Sequence, residues 1–346
     1  MTGDGKDGSF EARLDELRDA AAREGKVDAP GVRAAGGPLP AAGGPLPPSS
    51  APRATRLNGA PGYYGRPVLK PPVWTWEIPV YFFVGGLAGG CAILAWAAQV
   101  AAPEAVLVRT ALWLALGGTA ASAVLLILDL GRPMRFLYML RVFKWRSPMS
   151  VGVWVLTVFG GALALALAGM ELARAEIAGG LAPVLLAAGL WTAAPLGALV
   201  ATYTGVLIGA TAVPAWNLHR TTLPIHFGIA GLGSAAAVLE LLGFPSPALG
   251  LVGLAASVGE TLVGLSVEVS RHGTEDRALR EGRAGILLRG AGVLAGPASL
   301  VLRLSGMEAA AAVSFLVGAL VSRFGWIEAG RASARDPGAA LARYSG

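Results

Sequence analysis

Among the carboxylates inside, or at the ends of, long apolar stretches of this 346-residue chain, five stand out: Glu77, Asp129, Glu240, Glu260 and Glu268. An acid in such a setting is costly to keep there, so it points to proton transfer, ion coordination or pairing with a buried cation. Glu77 lies in WTWEIPVYFF, with Trp74, Trp76 and Tyr81 around it. A carboxylate beside a phenol can hydrogen-bond two oxygens of a ligand and supply a proton; the tryptophans by themselves read equally well as interfacial anchors. Asp129 closes a stretch in DLGRP, with Arg132 and Arg135 just downstream. Because a helix C-terminus disfavours an acid, one of those arginines is expected as its partner, fixing a corner, serving catalysis, or both. Glu260 and Glu268 are eight residues apart, near one face of a helix. Together with Glu240 and His226 they could form a polar path for protons; the alternative is pairing with Arg289 or Arg303 to hold the helices together. Tyr203, between Thr202 and Thr204, adds a polar patch to another stretch.

Other chemistry is excluded by what is scarce. One cysteine, Cys91, allows no disulfide framework, and a chain with a single thiol cannot by itself hold an iron–sulfur cluster, which needs about four. A haem held by two histidines needs facing imidazoles at matching depth. Of His219, His226 and His272, only His226 and His272 could share a face, and His272 falls in an Arg-rich segment. No haem and no other metal site is expected. The small-residue runs GGLAGG (85–90), GGTAAS (117–122) and GIAGLGSAAA (228–237) lack the strand and lysine of a phosphate loop. They are expected to let helices approach closely.

The elements that position these residues follow from composition. Hydrophobic residues make up 54% of the chain and charged ones 14%, against about 25% charged in soluble domains. Ten of the 28 basic and eight of the 22 acidic residues fall in the first 70, which leaves 32 charged side chains, about 12%, among the remaining 276. A soluble enzyme is excluded; the fold class is an all-α integral membrane protein. Apolar spans are read at 76–101, 105–129, 149–170, 181–211, 223–243, 247–270, 284–304 and 308–329, each long enough to cross a hydrocarbon core of about 30 Å. The fourth holds Pro183 and Pro195 and is expected to tilt, kink or split. Three regions result: 1–70 as a disordered, Gly- and Pro-rich extension with one short amphipathic helix around Phe10, Leu14 and Leu17, 71–330 as an eight-helix transmembrane domain, and 331–346 as a tail. The acidic, Gly-rich start has no apolar core of the kind a signal peptide carries.

An even number of spans puts both termini on one side. The loops on that side hold ten basic residues: Arg132, Arg135, Arg141, Lys144, Arg146, Arg220, Arg271, Arg277, Arg280 and Arg283. The opposite loops hold three: Arg109, Arg174 and Arg303. This asymmetry predicts a multi-pass protein of the cell inner (plasma) membrane with cytoplasmic termini, and it accounts for the net charge of +6 without a nucleic-acid partner.

Four segments carry a family resemblance. YYGRPVLKPPVWTWEIPVYFFVGGLAGG (63–90), DLGRPMRFLYMLRVFKWRSPMSVGVW (129–154), YTGVLIGATAVPAWN (203–217) and RFGWIEAGRASARDP (323–337) resemble the NrfD/polysulfide reductase (PsrC-like) membrane-subunit family. The resemblance covers about 63–337 and implies an eight-helix subunit that binds menaquinone or ubiquinone and holds no cofactor of its own. Such subunits anchor a four-cluster ferredoxin-like iron–sulfur subunit, which exchanges electrons with a molybdopterin catalytic subunit. By motif it assigns the quinone head to Glu77 and Tyr81, with Tyr203 beside them; some members have histidine where this chain has Tyr81. It also implies catalytic partners outside the cytoplasm, whereas the charge asymmetry places the start of the first span inside it.

The residues point the same way. Quinone chemistry moves two electrons and two protons, so it needs partners for two oxygens and a proton-handling group. Glu77, Tyr81 and Asp129 are the expected catalytic set, and Trp76, Glu77, Tyr81, Tyr203 and Arg132 the expected quinone contacts. The chain is then a quinone-interacting anchor subunit of an oxidoreductase, embedded in the lipid bilayer and taking its electrons from a partner. Competing readings are a secondary transporter, whose half-to-half repeat is not evident, a proton-translocating protein, and a passive scaffold whose acids only pair with arginines.

Overall fold

The structure is a computed structural model, and it describes residues 69–101, 105–130, 134–177, 179–244, 246–269 and 276–341. The extension before them, with its expected linker and amphipathic helix, lies outside the described residues, as do Arg132, Arg271 and His272. Among the described residues there are eight helices long and apolar enough to cross a membrane: α1 Glu77–Ala101, α2 Ala105–Asp129, α3 Pro148–Arg174, α4 Leu181–Gly209, α5 Thr222–Leu241, α6 Pro247–Val269, α7 Gly282–Leu304 and α8 Glu308–Arg335. Hydrocarbon offers the backbone no hydrogen-bond partner, so apolar runs of this length must satisfy their own N–H and C=O groups as helices. Short helices Met134–Arg141, Pro214–Leu218 and Arg277–Arg280 sit in the connections, and Pro337–Leu341 follows α8.

Of the tilt, kink or split expected for the fourth span, the split does not occur. α4 is one unbroken helix. Pro183 falls in its first turn, where an N–H has no intrahelical acceptor to lose, and neighbouring helices support the turn around Pro195. The break occurs in α7, where Leu294–Ala298 forms a π-type turn and Gly296 leaves helical geometry at φ −90° and ψ −106°. Pro297 has no N–H to offer the preceding turn. Gly296 also packs against α6 so closely that a Cβ there would stand 2.9 Å from Thr261 Oγ1 and 3.1 Å from Thr261 Cα.

The helices form two groups of four. In the first, α1 packs on α2 and α4, and α3 on α2 and α4; in the second, α5 packs on α6 and α8, and α7 on α6 and α8. The groups meet where α1 and α4 contact α5 and where α1 contacts α8. Glycines permit this seam: a Cβ on Gly90 of α1 would lie 2.5 Å from the carbonyl oxygen of Gly231 in α5, and one on Gly231 would lie 2.7 Å from that of Gly86. Polarity is sorted for lipid. Leu251, Leu262, Ile286 and Val301 are more than half exposed, while His226, Glu260 and Arg323 are buried.

Candidate functional site

A narrow groove of about 60 Å³ opens where α1 and α3 begin and α2 and α4 end. Tyr81 of α1, Asp129 of α2 and Tyr203 of α4 line it, together with Trp74, Met139 and Met149. Of the expected site residues, these three are brought together from positions far apart in the chain. Asp129 is half-buried at the last position of its helix. Glu77, the first residue of α1, accepts a hydrogen bond from the Thr75 hydroxyl and does not line the groove, though it stands within electrostatic reach of Asp129. Trp76 does not join the walls. Its side chain points outward, 57% exposed, and Trp74 takes the expected place. Arg132 and the side chain of Arg135, the partners expected for Asp129, lie outside the described residues.

The local sequence explains how the groove is built. In SPMS, Ser147 caps α3 by accepting from the Ser150 N–H, and Pro148 occupies the first turn, where its missing donor costs nothing. Ser150 turns back to the loop, accepting from the Lys144 N–H at 3.0 Å. The Pro148 carbonyl accepts the Tyr203 hydroxyl, and Gly152 leaves the space that the Tyr203 ring fills, since a Cβ there would overlap the ring. Trp74 stacks on Trp216 with ring centroids 5.5 Å apart and an interplanar angle of 14°. The indole N–H of Trp216 in turn donates to the Trp326 carbonyl at 2.7 Å. Arg331, paired with Glu328 at 2.6 Å, donates to the Trp74 carbonyl. Motifs from four parts of the chain thus meet at one end of the helices.

A second polar cluster lies in the α5–α8 group. His226 Nδ1 is 3.1 and 2.9 Å from the two carboxylate oxygens of Glu260. Arg323 approaches His226 Nε2 at 3.5 Å, Ser322 Oγ at 3.3 Å and the Phe227 carbonyl at 3.4 Å, and its guanidinium carbon stands 3.7 Å from the centre of the Phe227 ring. A guanidinium can only donate, so Nε2 is the accepting nitrogen and the imidazole proton sits on Nδ1, facing Glu260. The three groups form a line in which the imidazole lies between a buried guanidinium and a buried carboxyl group. All three are at most 5% exposed.

The acids expected to act as one path are separated. Glu240 sits at the opposite end of α5, in a bidentate pair with Arg303 at 2.8 and 2.7 Å, the pairing that the sequence offered as the alternative to a proton path. Glu268 is exposed at the end of α6, and Arg289 donates to the backbone carbonyls of Gly285 and Arg280. Ser257 and Ser299, bonded to each other at 3.0 Å, stand between the two ends. Sequence reasoning missed Arg323. The available signal was an arginine well inside the eighth span, as costly there as the five acids. Among the described residues, no three His, Cys, Asp or Glu side chains converge in a way that could hold a metal ion.

Comparison with known proteins bears on the same segments. Residues 68–244, containing α1 to α5 and the whole groove, match the family described as "Polysulphide reductase, NrfD". "Protein NrfD" of Escherichia coli (strain K12) is 29% identical over 186 residues, which is 48% of this chain and 58% of that protein. The chain therefore spans a little over half the length of that curated relative. The matched segment covers half of the chain and carries the motifs that build the groove, and with its eight apolar helices the chain belongs to the polysulphide reductase, NrfD family.

Proposed function

We infer that the chain is the quinone-reactive membrane anchor of an oxidoreductase, and that the groove receives the head of menaquinone or ubiquinone. The observation that carries this reading is the meeting of two phenols and a carboxylate, Tyr81, Tyr203 and Asp129, in a groove otherwise walled by apolar side chains. Reduction of a quinone places a proton on each of two oxygens. Tyr81 hydrogen-bonds one of those oxygens; Tyr203, whose proton goes to the Pro148 carbonyl, offers its oxygen to a quinol hydroxyl; and Asp129 gives or takes a proton. Glu77, close enough to repel Asp129 when both are ionised, tunes the acid. Met139 and Met149, flexible unbranched side chains, form the wall that yields to admit a ring. The electrons are exchanged with a partner, for which a four-cluster ferredoxin-like subunit serving a molybdopterin catalytic subunit is the proposal. In the intact complex, Asp129→Asn is expected to lower quinol-coupled turnover about 100-fold with assembly unchanged, and Tyr203→Phe to raise the KM for quinol. Wild-type kinetics in both variants would reject the groove as the site.

The inner membrane, with both termini in the cytoplasm, is the proposed location. Arg141, Lys144, Arg146, Arg220, Arg277, Arg280 and Arg283 lie on the side where α1 begins, against Arg109, Arg174 and Arg303 at the other. Green fluorescent protein fused after Gly346 is expected to fluoresce, and alkaline phosphatase fused there to be inactive. The reverse pattern would place the groove, and its partner, outside the cytoplasm.

A further inference from the structure

A cavity of about 330 Å³ lies in the second helix group, between α6, α7 and α8. Its size falls in the range of about 300–1,000 Å³ usual for ligand sites, whereas the groove beside Tyr81 measures about 60 Å³. Val263, Val267, Leu288 and Pro297 form apolar walls where α7 is broken, and the Trp326 ring closes one side. The inner end is polar: His226, Glu260 and Ser322 face the cavity. The outer edge reaches the lipid-facing surface at Leu265 and Val293, which are 56% and 55% exposed. Glu268 and Arg289 stand at the end nearest the aqueous face. Three of the four helices of this group lie beyond the family-matched residues 68–244.

The polar end selects a ligand chemistry. Glu260 is backed by Arg323 through His226, so its carboxylate faces the cavity as an acceptor with its counter-charge behind it. A phosphate or carboxylate headgroup would be repelled at this end, and a purely apolar chain would leave the buried carboxylate without a donor on the cavity side. A ring bearing a hydroxyl satisfies it, with Ser322 in place for a second oxygen and the gap between Leu265 and Val293 open for an apolar tail. We propose that the α5–α8 group holds a second binding site, for a hydroxyl-bearing aromatic amphiphile of the quinol type, with Glu260 accepting the ring hydroxyl. The site shares a ligand class with the groove but stands on different residues.

Titration of the purified full-length protein with a fluorescent hydroxyquinoline N-oxide, a quinol mimic, counts the sites. Two per chain are expected. Gly264 and Gly292 line the cavity, and a Cβ on either meets nothing within 4 Å, so leucine at both fills the space without disturbing the backbone. That double variant is expected to abolish one site, and Glu260→Gln to weaken it at least tenfold, as loss of a hydrogen bond to a charged group does. Should Glu260→Gln fail to fold, since it strips Arg323 of its counter-charge, the glycine variant carries the test. Decylubiquinol should displace the probe from this site at least tenfold better than its di-O-methyl ether. One site per chain, lost in Asp129→Asn or Tyr203→Phe and untouched by the glycine variant, overturns this inference and leaves the groove reading standing. One site lost only in the glycine variant does the reverse. Equal displacement by the ether reduces the cavity to an unselective apolar space and overturns the proposal as well.

Discussion

Arg323→Met is expected to lower the stability of the purified protein by about 3–5 kcal/mol, the range for breaking a buried ion pair from one side. The guanidinium is 1% exposed in the middle of a membrane helix, held by His226, Ser322 and the Phe227 carbonyl and stacked on the Phe227 ring. Methionine fills much of that volume, so packing is largely kept. The damage is electrostatic: Glu260, reached through the imidazole, becomes an uncompensated carboxylate 3% exposed among apolar helices. The partner substitution separates this cause from lost packing. Arg323→Met combined with Glu260→Gln removes both charges and should recover most of the loss, because replacing a buried pair by uncharged groups is often close to neutral. Thermal unfolding of the two variants in one detergent is the measurement. A double variant as unstable as the single would show that Arg323 acts through packing rather than charge.

The second large effect concerns the seam between the helix groups. Gly90→Leu is expected to cost about 3 kcal/mol or more and to yield protein that elutes as aggregate on size exclusion. Its first side-chain carbon alone would stand 2.5 Å from the Gly231 carbonyl oxygen and 2.9 Å from the Ala235 methyl. The nearest obstacle is backbone, which cannot swing aside as a side chain does, so α1 and α5 must separate. Gly117→Leu is the control. Gly117 sits in a run of small residues of the same kind, yet a Cβ there meets nothing within 4 Å. Near-wild-type behaviour is expected for it, and equal damage at both positions would show that helix propensity, not close approach, dominates.

These two glycines show what patterning alone can say. Small residues in GGLAGG and GGTAAS announce that helices approach closely somewhere, but not that Gly90 faces a neighbouring backbone while Gly117 faces open space. Proline is similar. Pro195 stays within an unbroken α4, and the break falls at Gly296–Pro297, where a glycine beside the proline lets α7 lean on Thr261. A proline's effect is set by whether packing holds the helix around it, which lies outside the local sequence.

Read alone, the sequence determined the class of the molecule. Eight apolar runs have one stable solution in hydrocarbon, so eight membrane-length helices follow from composition and length. The carboxylates Glu77 and Asp129 were equally visible, because intramembrane charge is a local signal, and the segments around Ser147–Ser150 and Tyr203 stood out through the family resemblance. Only the tertiary structure decided which of those residues share a site. It set Tyr81, Asp129 and Tyr203 around one groove, turned Trp76 outward in favour of Trp74, tied Glu240 to Arg303 at the far end, and placed Arg323 behind His226 and Glu260. The physical reason is that lipid supplies no hydrophobic drive to orient a helix about its own axis. Van der Waals fit and the pairing of a few buried polar groups set each helix's rotation, and both depend on every neighbour at once.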